Sequence, residues 1–206
     1  MKITRPFSFD SDFFYMRLII GLGNPGPSYQ NTRHNAGFLF IDQMAKIYGV
    51  QMKNESKFFA EVGRVRADGA DFWLLKPLTF MNESGKSVSS FCRFYDIDAD
   101  NFIVAHDELD LSPGIVKIKR GGGAGGHNGL KDIISSGIGG DFWRLRIGIG
   151  HPGDKRKVSG YVLQSPNQQD FESIFESIER VVAARQKILQ SKFDDAMLEL
   201  HSSNPR

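Results

Sequence analysis

The sequence predicts one α/β domain built on a central sheet, and three observations predict it. Short runs rich in Ile, Val, Phe and Trp recur along the chain, segments with helical spacing separate them, and no internal repeat or low-complexity linker interrupts the alternation. A length of 206 residues with 40% hydrophobic and 24% charged residues suits a single globular domain with a real core.

Residues 1–16 have no clean period and are expected to form an arm ahead of the domain. The apolar run 17–22, bounded by glycine, predicts the first strand. Phe38, Ile41, Met44 and Ala45 then share one face of a helix ending near Gly49. Strands follow at 58–66 and 71–75. Val88, Phe91, Cys92 and Tyr95 repeat the i, i+3, i+4, i+7 spacing of a second helix. Further strands are expected at 101–105, 115–119 and 145–149, with a helix opening near Asn128. In the C-terminal helix, Ser165 is the expected N-cap, Pro166 occupies the first position and Gln168 completes a capping box. Phe171, Ile174, Phe175, Ile178, Val181 and Val182 supply the apolar face. Residues 202–206 are left as a tail.

Composition narrows the function classes. The single cysteine, Cys92, has no intrachain disulfide partner, and no paired Cys/His spacing suggests zinc, so a reducing compartment, the cytoplasm, is expected. Asp10 and Asp12 break the only stretch that could serve as a signal-peptide core, and no run approaches the roughly 18 apolar residues of a membrane span. A net charge of +2 does not by itself mark a nucleic-acid binder.

Two glycine-rich segments stand out. Gly21-Leu22-Gly23-Asn24-Pro25-Gly26 formally matches the dinucleotide fingerprint. However, Pro25 and Pro27 remove backbone donors and Asp42 falls inside a helix, so the contexts that make the fingerprint work are missing. Gly85-Lys86-Ser87 lacks the upstream glycine of a P-loop, since Phe80 stands there. The segment 121–129 holds six glycines in nine residues after Lys117, Lys119 and Arg120. It can be a turn between a strand and a helix, or a place where a ligand approaches main-chain N–H groups.

The polar candidates lie at junctions. His34 precedes the first helix and titrates in the range of acid–base catalysis, although a capping or surface histidine is the plainer reading. His106-Asp107-Glu108-Leu109-Asp110 ends an apolar strand, where open α/β sheets place ligands. An aspartate there can orient a histidine from another loop. Asn24, Asn82 and Asn128 are three neutral amides at loop junctions, suited to esters, amides and ribose hydroxyls and to a developing oxyanion. Asn82 can equally be an N-cap. No G-x-S-x-G elbow exists, and Cys92 lies on an apolar helix face. Water activated by His34 is therefore favoured over a covalent nucleophile.

These residues together resemble one family. The stretch 21–26 with Tyr29, Thr32-Arg33-His34-Asn35-Ala36-Gly37, Thr79-Phe80-Met81-Asn82 with Ser84-Gly85, 105–110, the loop 121–128 and 144–153 are similar in order and spacing to bacterial peptidyl-tRNA hydrolase. The resemblance runs from about Arg17 to His201, which gives a hydrolase domain at 17–201. It implies a monomeric α/β globule with a twisted mixed central sheet flanked by helices. The implied reaction is hydrolysis of the ester joining a peptide to the 3′-terminal ribose of tRNA, recycling tRNA from stalled translation without cofactor or metal. His34 resembles the general base, Asp107 its orienting carboxylate and Asn82 the oxyanion donor. Asn24, Asn82 and Asn128 resemble substrate-holding amides, and Tyr29 and Met81 the cleft walls. Lys119 and Arg146 resemble a clamp on the tRNA 5′-phosphate, so the implied partner is the acceptor stem and CCA end. Two departures stand out. Ala124 replaces a histidine of many members, and the arm has no counterpart, which makes Met16 an alternative start of translation. The rival class is an RNA-binding module without catalysis, which would need Lys119, Arg120 and Arg146 but neither His34 nor Asp107.

Overall fold

The computed structural model describes residues 16–67 and 69–203. Seven strands form one mixed sheet: β1 (Leu18–Gly21), β2 (Lys53–Glu55), β3 (Ala60–Ala67), β4 (Ala70–Pro77), β5 (Phe102–Glu108), β6 (Val116–Arg120) and β7 (Trp143–Gly148). Their order is β2-β3-β4-β1-β5-β7-β6, with β4, β1, β5 and β7 mutually parallel and the outer pairings antiparallel. The helices are α1 (Ala36–Ile47), α2 (Ser84–Tyr95), α3 (Asn128–Ile133), α4 (Val158–Val162), α5 (Gln168–Ala183), α6 (Arg185–Leu189) and α7 (Phe193–Ser202).

Strand β1 is buried along its whole length, which is why its sequence reads as an apolar run rather than an alternation. Successive side chains still divide between two cores. Leu18, Ile20, Phe102 and Val104 face α2 and α3, whereas Ile19, Ile103 and Ala105 face α1 and α5 to α7. From β1 the chain reaches β4 on one side and then returns past β1 to β5 on the other. The carboxyl ends of β1, β4 and β5 therefore meet where the winding reverses, the crevice in which such sheets place ligands.

The fold expectation holds, with local corrections. Met16 is not part of an outlying arm: it is 1% exposed, lies in the core and donates its backbone N–H to the Leu189 carbonyl. The remaining arm, 1–15, lies outside the described residues, as do 204–206 of the tail. Phe58 belongs to a 3-10 turn (Ser56–Phe58), and the strand begins at Ala60 because Phe59 takes a left-handed conformation between them. Strand β5 continues beyond the expected 101–105 through His106, Asp107 and Glu108, which therefore sit in register with β7. Ser165 is not the cap of α5. Asn167 is, its Oδ1 accepting the Asp170 backbone N–H at 2.8 Å, and Pro166 and Gln168 shift accordingly.

Replacing Asn167 by Ala should lower stability by about 1 kcal/mol, as loss of a helix cap does, while Ser165→Ala should be close to neutral. Paired denaturant titrations check this; equal losses in the two variants would return the cap to Ser165.

Candidate active site

A cleft of about 650 Å³ opens at the carboxyl ends of β1, β4 and β5. Asn24 comes from the loop after β1, and Met81 and Asn82 from the 3-10 turn (Met81–Glu83) after β4. Asp107 comes from the end of β5, and Asn128 from the start of α3. His34 rides on a 3-10 turn (Arg33–Asn35) that runs directly into α1. Tyr29 also lines the cleft, so every expected catalytic or substrate-holding side chain reaches one cavity.

Close backbone approach makes this convergence possible. A Cβ on Gly37, in the first turn of α1, would come within 2.4 Å of both the Ala105 carbonyl and the Leu22 amide, and a Cβ on Gly21 would strike the Gly37 carbonyl. Only glycine at both positions lets α1 lie on β1 and β5 closely enough for His34 to meet Asp107.

The centre of the site is the Asp107 carboxylate, 3% exposed. His34 Nδ1 lies 2.8 Å from Asp107 Oδ1, and His127 Nε2 lies 2.9 Å from the same oxygen. Burial works to raise the carboxyl's pKa, but the two imidazoles, by charge and hydrogen bonding, outweigh it and hold Asp107 well below the usual carboxylate range. An ionised carboxylate only accepts, so both rings must present N–H to it. The tautomers follow from this network. His34 carries its proton on Nδ1, leaving Nε2 as its basic atom. His127 carries its proton on Nε2, and its Nδ1 accepts the Leu130 N–H at 3.3 Å as the N-cap of α3. Burial pulls the His34 pKa down, yet Asp107 overcomes this and leaves it above the ordinary value. His106, 2% exposed, donates Nδ1–H to the Asp107 carbonyl at 2.7 Å. Burial, with His127 nearby, pushes its pKa down to about 3, so it stays neutral.

Asn24 is held on three sides. Its Oδ1 accepts the Met81 N–H at 2.8 Å, and its backbone exchanges two hydrogen bonds of 2.9 and 3.0 Å with the Asn35 side chain. This leaves Asn24 Nδ2 as the donor it can offer to the cleft. Cys92 is buried in α2 and burial raises its thiol pKa to about 12, so it is no nucleophile.

The glycine-rich loop has a backbone reason of its own. Gly121, Gly122, Gly125 and Gly126 take positive φ, and the buried Arg144 guanidinium donates to the carbonyls of Gly122, Gly123 and Gly140. That lashing delivers His127 and Asn128 to the cleft, while Gly125, Gly126 and Ala124 line it. The turn reading therefore holds, and the segment also walls the cleft.

Lys119 and Arg146 stand beside the cleft rather than in it. Arg146 pairs in register with Lys117 and Arg144 with Lys119, so all four cations share one face of the β6–β7 ladder. Arg146 Nε donates to Glu108 Oε2 at 2.9 Å, and Glu108 lines the cleft. Burial raises the Glu108 pKa, but Arg146 more than reverses this and holds it low.

Sequence reasoning missed several contributors. It gave His127 no role, although its place before Asn128 at a helix start was a signal. Asn35 and Glu108 were quoted without a role of their own, and Lys155, Val158, Ser159, Val162 and Leu163 gave no hint that they line the cleft. As for metals, His34, Asp107 and His127 are the one group among the described residues whose donor atoms, within 4.8 Å of each other, could surround an ion. Their N···O separations of 2.8 and 2.9 Å are hydrogen-bond lengths, shorter than the roughly 3.3 Å between donors around a tetrahedral ion with bonds of about 2.0 Å. We read the trio as bridged by protons.

A buried His–Asp pair in a cleft of neutral amides, at the switch point of a mixed α/β sheet, has the make-up of a hydrolase-type site. The family model of peptidyl-tRNA hydrolases matches residues 18–206. The peptidyl-tRNA hydrolase of Pectobacterium atrosepticum is 52% identical over 188 residues, covering 91% of this chain and 96% of that protein. That of Methylobacillus flagellatus is 49% identical over 187 residues, covering 91% and 97%. The crystal structure of the Acinetobacter baumannii peptidyl-tRNA hydrolase superposes with a TM-score of 0.91 at 45% identity, covering 95% of this chain and all of that one. The chain belongs to the peptidyl-tRNA hydrolase family. No helix among the described residues is long and apolar enough to cross a membrane.

Replacing Arg144 by Met should leave three loop carbonyls without their charged donor and cost about 3 kcal/mol. Denaturant unfolding together with amide exchange across 121–128 measures it; unchanged exchange there would show that the loop does not depend on Arg144.

Proposed function

We infer that this chain hydrolyses the ester between a peptide and the 3′ ribose of tRNA, by direct attack of a water that His34 activates. The observation that carries this reading is the His34–Asp107 pair: Nδ1 is bound at 2.8 Å to a buried carboxylate, leaving Nε2 basic in a ring that lines the cleft. As water attacks, Nε2 takes its proton and the resulting imidazolium is stabilised by Asp107. The carbonyl oxygen gains negative charge in the tetrahedral intermediate, and the Asn82 amide is the donor we assign to it. Collapse expels the ribose 3′ oxygen, which recovers a proton from His34, so that free peptide and tRNA leave and the enzyme is regenerated. Asn24, with Nδ2 its free donor, and Asn128 would hold the acyl and ribose groups, and Tyr29 and Met81 would wall them.

Lys119 and Arg146 support a clamp on the tRNA 5′-phosphate. The guanidinium keeps its Nη donors after Nε is committed to Glu108, and the four-cation face offers a phosphate a local positive field that the net charge of +2 conceals. On this reading the acceptor stem would run along the β6–β7 side of the cleft, with the CCA end within it. A binding module without catalysis would have no use for a buried carboxylate that depends on two imidazoles to stay ionised.

The deciding assay is release of free tRNA from N-acetyl-aminoacyl-tRNA by the purified protein. We expect turnover by the wild type and a loss of 10²–10⁴-fold in kcat for His34→Ala with binding nearly intact, the range a general base contributes. A variant with near-normal turnover overturns the assignment. Since Asp107 holds the His34 pKa above 6.5, and only neutral His34 accepts a proton, kcat/KM should fall as pH drops through a midpoint above that value. Asp107→Asn should reduce turnover strongly.

Lys119→Ala and Arg146→Ala should chiefly raise KM on 5′-phosphorylated substrate and flatten the log–log salt dependence by about one unit each. Equal losses on a substrate without the 5′-phosphate would rule the clamp out.

A further inference from the structure

The His34–Asp107 pair explains one of the two hydrogen bonds on Asp107 Oδ1; the other, from His127 Nε2, has no counterpart in a simple base-and-carboxylate site. We propose that His127 is a positioning residue that sets the basicity of His34 through the carboxylate oxygen the two rings share. This rests on His34 being the base.

His127 uses both ring nitrogens inside the protein. Nε2 is bound to Asp107 and Nδ1 caps α3 at Leu130, so it has no nitrogen left to exchange protons with a substrate. Its ring packs against both other histidines of the site, with centroids 5.0 Å from His34 and 5.1 Å from His106. It is thus a fixed strut between the end of the glycine-rich loop and the catalytic carboxylate. Two donors on one oxygen compete for its electron density, so each weakens the hold of the other. With His127 present, Asp107 is kept ionised and in one rotamer, but it stabilises the imidazolium of His34 less than an unshared carboxylate would. The arrangement favours a base that readily gives its proton back to the departing ribose oxygen, a balance general acid–base catalysis requires.

Other charged groups around the trio are accounted for. From β5, His106 is neutral and Glu108 is committed to Arg146. Arg33, next to His34, is turned to the carbonyls of Tyr161, Gln164 and Ser165. Lys155 and Tyr29 line the cleft, and among the described residues the trio's side-chain hydrogen bonds run to one another and to the Leu130 N–H.

His127→Asn isolates the effect, because Asn caps a helix well and so preserves α3, while its shorter side chain cannot reach Asp107. The expected result is a His34 titration midpoint higher by about 0.5–1 pH unit, read from its ring proton in the NMR spectrum of the free enzyme. The acid limb of kcat/KM should move up by the same amount. A His127 that merely supported the loop would, on removal, loosen Asp107 from His34 and leave the midpoint in place or lower it, and either result overturns the proposal. In an Asp107→Asn background the same substitution should produce no further shift, since the two act through one oxygen; a full shift there also overturns it. The NMR titration needs no substrate, so it judges this inference even if the tRNA-release assay fails.

Discussion

A carboxylate buried at the end of a strand is costly to desolvate, and the folding of this site is organised around offsetting that cost. Asp107 stays ionised because two imidazoles from different parts of the chain reach the same oxygen. Each demands its own scaffold. His34 arrives only because α1 lies on β1 and β5 at a distance that Gly21 and Gly37 alone permit. His127 arrives only because Arg144 gathers the carbonyls of a loop whose glycines take up positive φ. Loss of either scaffold would leave a partly compensated charge in the interior, which ties packing in two separate cores to the chemistry of one oxygen.

The cleft is divided in character. The end that holds the His34–Asp107 pair combines neutral amides with the apolar surfaces of Met81, Val158, Val162 and Leu163. Its flank on the β6–β7 ladder carries cations. Glu108 joins the two regions: it follows Asp107 in β5, lines the cleft, and holds Arg146 by Nε. That ion pair fixes the orientation of the arginine fork.

Much of this was legible in the chain. Strands β1 and β5 were found because they are buried and read as apolar runs, and α1 and α2 because their buried faces keep helical spacing, whereas β2, short and largely exposed, carries no apolar signal and was missed. His34, Asp107, Asn24, Asn82 and Asn128 were singled out for the acid–base and hydrogen-bonding chemistry of their side chains, and the structure brings all five to one cleft. Misreadings arose where two local signals compete: Ser165-Pro166 and Asn167 both precede a plausible helix, and the choice falls to the geometry of the Asp170 amide.

What the sequence alone determined, then, is the inventory: a mixed α/β domain, its segment periods, a histidine and an aspartate able to pair, and three amides. Only the tertiary structure decided the pairings, that His127 and His34 share one oxygen, that Asn35 pins Asn24, that Glu108 holds Arg146, and that residues 155–163 close the cleft. Those contacts span 73, 20, 11 and 38 positions along the chain. Local propensity acts over a turn or two, whereas such contacts depend on strand order, on register between β5 and β7, and on how closely a helix can lie on a sheet.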